Sequence, residues 1–73
     1  MGWHDGNGMW FSDNTAIELQ CEYENHYVHG DSGDWFEKDE SGQWWVDLAD
    51  GGERGPFNTL EHACECMAGR YEG

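Results

Sequence analysis

The sequence predicts an α+β fold: a small antiparallel β-sheet of three to five strands with one C-terminal α-helix packed on one face. Three observations carry this. Residues 16–24 alternate strictly between apolar and acidic or polar side chains, the period of a half-buried antiparallel strand. Two tryptophan-rich runs flank a Gly-containing turn. Only the last quarter of the chain has apolar spacing of helical period.

The elements follow in chain order. Residues 1–8 are rich in Gly and Asp and read as a flexible N-terminal arm ahead of a single domain spanning 1–73. Met9-Trp10-Phe11 reads as a short edge strand, and Asp13-Asn14 as a turn. In the following strand Ile17, Leu19, Cys21 and Tyr23 fall on one face. Glu18, Gln20, Glu22 and Glu24 fall on the other. Asn25-His26 interrupts, Tyr27-Val28-His29 resumes the sheet, and residues 30–34 form a loop. A hairpin comes next: Trp35–Lys38, the turn Asp39-Glu40-Ser41-Gly42, then Gln43–Leu48 with Trp44, Val46 and Leu48 on one face. Asp50-Gly51-Gly52 supplies a tight turn, and Glu53–Phe57 leads to the helix.

Helix entry is marked by Asn58 with Glu61 three residues on, a capping-box spacing, with Thr59 an equally good N-cap. Leu60, Ala63, Cys64, Met67 and Tyr71 make one apolar stripe, and Gly69 stands at the expected C-terminal cap. A helix of about ten residues is too short to be stable alone and must pack on the sheet.

The run Gln43-Trp44-Trp45-Val46-Asp47, Asp50-Gly51-Gly52 and Gly55-Pro56-Phe57-Asn58-Thr59-Leu60-Glu61-His62-Ala63 resembles a pattern in small acidic phage and prophage proteins. In these, a strand, a turn, Gly-Pro-Phe and a Thr-Leu-Glu-x-Ala helix start recur together. The resemblance covers the C-terminal two-fifths of the chain, and His62 replaces a frequent acid. It implies a hairpin, a Pro-stiffened corner and a helix, and a phage or mobile-element source. It transfers no catalytic residue.

Charge dominates the composition. Sixteen Asp and Glu face three basic residues, Lys38, Arg54 and Arg70, for a formal net charge of −13. Such a surface repels nucleic acid and anionic membranes and attracts basic proteins. Solubility, adaptation to high salt and mimicry of a polyanion each account for it. Five Trp, three Tyr and three Phe argue for a folded domain, since disordered acidic chains are poor in aromatics.

The expected function is that of an acidic, phage-type inhibitor. It would mimic DNA and occupy the basic nucleic-acid-binding cleft of a host protein, such as a CRISPR effector or a DNA-repair enzyme. The alternatives are a non-enzymatic adaptor for a basic partner and an acidic halophile domain. The expected partner-binding residues are Glu18, Glu22, Glu24, Asp31, Asp34, Trp35, Glu37, Asp39, Glu40, Trp45 and Asp47. Rigid carboxylates on a sheet reproduce the spaced negative charge of a phosphate backbone, and exposed Trp beside acid makes a protein-binding anchor. Small size and exposed Trp are compatible with a homodimer.

No nucleophile elbow, phosphate loop or metallohydrolase motif is present, so no enzyme and no cofactor is expected. His26-x-x-His29 and His62-x-Cys64-x-Cys66 supply five potential metal ligands. However, Cys64 belongs to the apolar stripe and no Cys-x-x-Cys knuckle occurs, so no metal is expected. The odd count of three Cys and the absence of a basic, apolar leader point to a reducing cytoplasm.

Overall fold

The computed structural model describes residues 2–72. Seven strands form one antiparallel sheet in simple meander order: β1 (Trp3–His4), β2 (Met9–Phe11), β3 (Glu18–Tyr23), β4 (His26–Val28), β5 (Trp35–Lys38), β6 (Trp44–Asp47) and β7 (Glu53–Phe57). One helix, α1 (Leu60–Glu72), follows. The class is α+β, and the strand count exceeds the three to five expected. The strands beyond those read from the sequence are β1, two residues long, and β7, which carries Gly55 and Pro56. The first is too short to show a period and the second has strand-breaking residues, and backbone pairing with a neighbour creates both.

The core lies between the sheet and α1. It contains Trp10, Ile17, Leu19, Tyr27, Phe36, Trp44, Val46 and Leu48 from the sheet side, and Leu60, Ala63, Cys64 and Met67 from the helix. Registers Trp10↔Leu19, Tyr27↔Phe36 and Phe36↔Val46 align the sheet's contribution on one face. The helix stripe read from the sequence is the stripe that packs, with Tyr71 partly buried at its end. Burial pushes the Cys64 thiol up to about 12, helped by the nearby Glu61 and Glu65 carboxylates, so Cys64 is an unreactive core residue.

Four local expectations are corrected. First, residues 2–8 are not a loose arm. Trp3 and His4 pair with Phe11 and Trp10, and Trp3 stacks on Phe11 with ring centroids 4.4 Å apart. Gly2 lies so close to the Trp10 ring that an added Cβ would overlap it, at a φ of 88° that also favours glycine. The Asp5 carboxylate accepts from the Asn7 and Met9 amides and closes the β1–β2 turn. Second, β2 is therefore an interior strand rather than an edge.

Third, the 16–24 alternation breaks at its end. A register shift between Cys21 and Tyr23 sets Tyr23 opposite His26, and Tyr23 is 66% exposed. The bulge inserts one extra residue and redirects the strand end. Fourth, α1 runs on through Gly69 to Glu72. Contacts made by its last turn outweigh the poor helix propensity of Gly69.

The Gly55-Pro56 step lies within β7, where Trp44 pairs with Phe57 and Val46 with Arg54. One residue on β6 thus faces two on β7. Proline fits here because β7 is an edge strand with a bulge. Gly55, at φ 135°, brings its backbone close to the Trp45 ring, where a side chain would be crowded as well as strained.

Candidate functional site: an acidic–aromatic sheet face

The face of the sheet turned away from α1 has no covering element among the described residues. Registers place three rows on it. One holds Trp3, Phe11 and Glu18. The second runs Met9, Gln20, Val28, Trp35, Asp47 and Glu53. The third holds Tyr23, His26, Glu37 and Trp45. Trp3 is 53% exposed and Trp35 45% exposed.

The centre of this face is a checkerboard on β5 and β6. Trp35 stands opposite Asp47, and Glu37 opposite Trp45. Along each strand an aromatic alternates with an acid at a two-residue spacing of about 6.8 Å. The Trp35 indole N–H donates to Asp47 Oδ2 at 2.7 Å. The Trp45 indole N–H donates to Asp39 Oδ2 at 2.8 Å. Each ring is thereby fixed by a carboxylate at its edge.

Asp39 organises the β5–β6 turn. Its carboxylate accepts from the Ser41 hydroxyl and amide and from the Gln43 amide, besides Trp45. The Ser41 hydroxyl and the Trp45 indole hold its pKa down to about 2. Beside it lies an open recess lined by Glu37, Lys38, Asp39, Glu40, Trp45, Asp47 and Glu53. Lys38 is the one base in that lining.

His26 is wedged into the same face. Its ring stacks on Tyr23 at 4.6 Å and tilts against Trp35 at 5.5 Å. His26 Nδ1 is buried and reaches Glu37 Oε2 at 3.5 Å.

The structure distributes the expected site residues unevenly. Trp35, Glu37, Trp45 and Asp47 come together, with Asp39 and Glu40 at the adjoining turn. Glu18 shares the face at its far end. Glu22 is exposed at the β3 bulge, Glu24 lies in the β3–β4 turn and Asp31 in the β4–β5 loop. The regular Glu18–Glu22–Glu24 ladder expected from alternation is therefore not formed: the bulge takes Glu22 out of step, and Glu24 leaves the strand.

Asp34 is a second correction. It is 1% exposed and faces the interior, accepting from the Ala49 amide at 2.8 Å and the Tyr71 hydroxyl at 2.7 Å. Arg70 Nε lies 3.6 Å away. Burial raises its pKa, but the Ala49 amide, the Tyr71 and Ser32 hydroxyls and the Arg70 charge outweigh this and leave it lowered. Asp34 is an internal anchor, inaccessible to a partner.

Sequence reasoning missed Trp3, Phe11, Tyr23 and His26 as members of the face. The pairing of Trp3 with Phe11 needed a strand too short to read. Tyr23 and His26 needed the bulge. The five potential metal ligands are also separated: Cys64 is buried and Cys66 exposed on α1, and no three His, Cys, Asp or Glu side chains among the described residues converge on one point. No described helix is long and apolar enough to cross a membrane.

Fold and face together describe a small α+β domain with an uncovered, acid-studded aromatic sheet surface. No protein-family model, curated protein or solved structure matches the chain.

Proposed function

We propose that the protein is a non-catalytic inhibitor that mimics a polyanion and occupies the basic nucleic-acid-binding cleft of another protein. The observation that carries this reading is the set of carboxylates held in place on and beside one rigid sheet face. Asp47 is fixed by Trp35, and Asp39 by Trp45, Ser41 and Gln43. A preordered anion lattice loses less entropy on binding than a mobile acidic tail. The charge of −13 steers it to a basic surface. The C-terminal resemblance to phage proteins favours a host defence or DNA-processing protein as the target, reached in the host cytoplasm.

The test is capture from a bacterial lysate on the immobilised protein at low and high salt, with and without duplex DNA. A nucleic-acid-binding protein that is retained at low salt and displaced by DNA or salt is the expected result. A partner that stays bound in the presence of excess DNA overturns mimicry and leaves an adaptor. Absence of any partner leaves the charge serving solubility.

A further inference from the structure

The carboxylates alone would suit any cation, but their arrangement around indole rings is more selective. We infer that the β5–β6 checkerboard is a docking surface for arginine side chains of the partner, which stack on Trp35 and Trp45 while pairing with Asp47 and Glu37. This deepens the proposed function, on which it rests, by naming the surface and the partner's chemistry.

Four observations combine. Each tryptophan has a carboxylate as its strand-to-strand neighbour: Trp35↔Asp47 and Trp45↔Glu37. The indole N–H groups are already engaged by Asp47 and Asp39, which fixes ring orientation before a partner arrives. Trp35 is 45% exposed, and beside it Tyr23, 66% exposed, extends the aromatic surface across His26. Trp45 and Asp47 line the open recess with Glu37, Glu40 and Glu53.

A planar guanidinium satisfies both features at once. It stacks on an indole face and donates in its own plane to a carboxylate. An ammonium does the second as a point charge and gains less from the ring. The same charge that favours an arginine-rich partner disfavours a second copy of this chain, because two such faces would bring like charges together.

The test uses length-matched oligo-arginine and oligo-lysine peptides against the intact protein. Tryptophan fluorescence gives affinity, and the indole N–H resonances in a nitrogen–proton correlation spectrum give location. Oligo-arginine is expected to bind about two- to five-fold more tightly than oligo-lysine for each tryptophan engaged, shifting the Trp35 and Trp45 indole signals. Trp35→Thr and Asp47→Asn should each weaken oligo-arginine several-fold with the circular dichroism spectrum unchanged. Glu65→Gln, the same loss of charge at an exposed position of α1 on the opposite side of the sheet, should have a much smaller effect.

Equal affinity for the two peptides, with Glu65→Gln and Asp47→Asn equivalent, overturns the arginine surface while leaving the polyanion reading intact. A DNA-displaceable partner whose capture is unaffected by Trp35→Thr and Asp47→Asn does the same. A concentration-dependent dimer abolished by Trp35→Thr also overturns it, by making a second copy the occupant.

Discussion

Glu61 shows how a single side chain can be legible in sequence and yet be used differently in the fold. Its position three residues after Asn58 fits a capping box. In the structure Thr59 performs the cap: its Oγ1 accepts from the His62 amide at 3.0 Å. Glu61 instead turns inward, 6% exposed, and accepts from the Ser12 hydroxyl, the Asp13 amide at 2.9 Å and the Asn14 amide at 3.2 Å. Burial raises its pKa, but these donors reverse the sign and leave it below the ordinary 4.5. A group whose folded pKa is depressed contributes stability above its unfolded pKa and loses it as pH falls through the folded value. Glu61→Gln places an amide donor against amide donors and should cost roughly 1–3 kcal/mol at neutral pH. The difference between wild type and variant in urea unfolding should then shrink as pH falls below about 4.5. Comparing the two proteins cancels the titration of the other acids. A gap that stays constant into strong acid would show that the Glu61 charge does not carry the effect.

At the scale of elements, α1 is fastened by acids on its length, by an N-cap at Thr59 and by side-chain contacts of its last turn. Glu61, Glu65 and Glu72 all accept from the β2–β3 connection, through Asp13 and Asn14, the Asn14 side chain and the Ala16 amide. Part of the acidic composition is therefore internal architecture rather than free surface charge. The last turn is held by the Tyr71 hydroxyl on Asp34, by stacking of Tyr71 on His29 at 3.7 Å, and by Arg70 between Asp34 and Asp50. This explains why the helix continues past Gly69. Thr59→Ala should cost about 1 kcal/mol through loss of the N-cap. Tyr71→Phe should cost roughly 1–3 kcal/mol, because it removes a donor from the buried Asp34 carboxylate. Chemical denaturation measures both, and amide exchange should show the Tyr71→Phe loss concentrated in the last turn of α1. A Tyr71→Phe variant as stable as wild type would mean that stacking and the Arg70 pair suffice.

Across the whole molecule, self-repulsion opposes compactness. Sixteen acids and three bases share 73 residues within a radius of gyration of 11.0 Å. At physiological ionic strength charges are screened beyond about 8 Å, so many of these pairs repel strongly only in dilute buffer. Sodium chloride added to a low-salt solution should raise the melting temperature by several degrees, since about 1 kcal/mol corresponds to roughly 4–8 °C in a domain this size. Differential scanning calorimetry checks this. A chain that folds only in high salt would support the halophile reading, and a flat response would show that the acids are already locally compensated. The same screening should weaken binding to a basic partner, so stability and affinity should move in opposite directions with salt.

The fold class, the helix stripe, the β5–β6 hairpin and the opposite orientation of the two members of each aromatic pair were legible in the sequence alone. Phe36 and Trp44 are core while Trp35 and Trp45 face the other way. These follow from periods of two and of 3.6, which are local properties of the chain. The fold was needed for the two-residue strand β1, the β3 bulge that turns Tyr23 outward, the burial of Asp34 and the inward turn of Glu61. Each depends on a partner that backbone pairing or packing brings into place: Phe11 for Trp3 and His26 for Tyr23 nearby in the chain, Tyr71 for Asp34 and Ser12 for Glu61 far from it. A carboxylate looks the same in a sequence whether it meets water or a buried donor, and the donors are supplied by the fold.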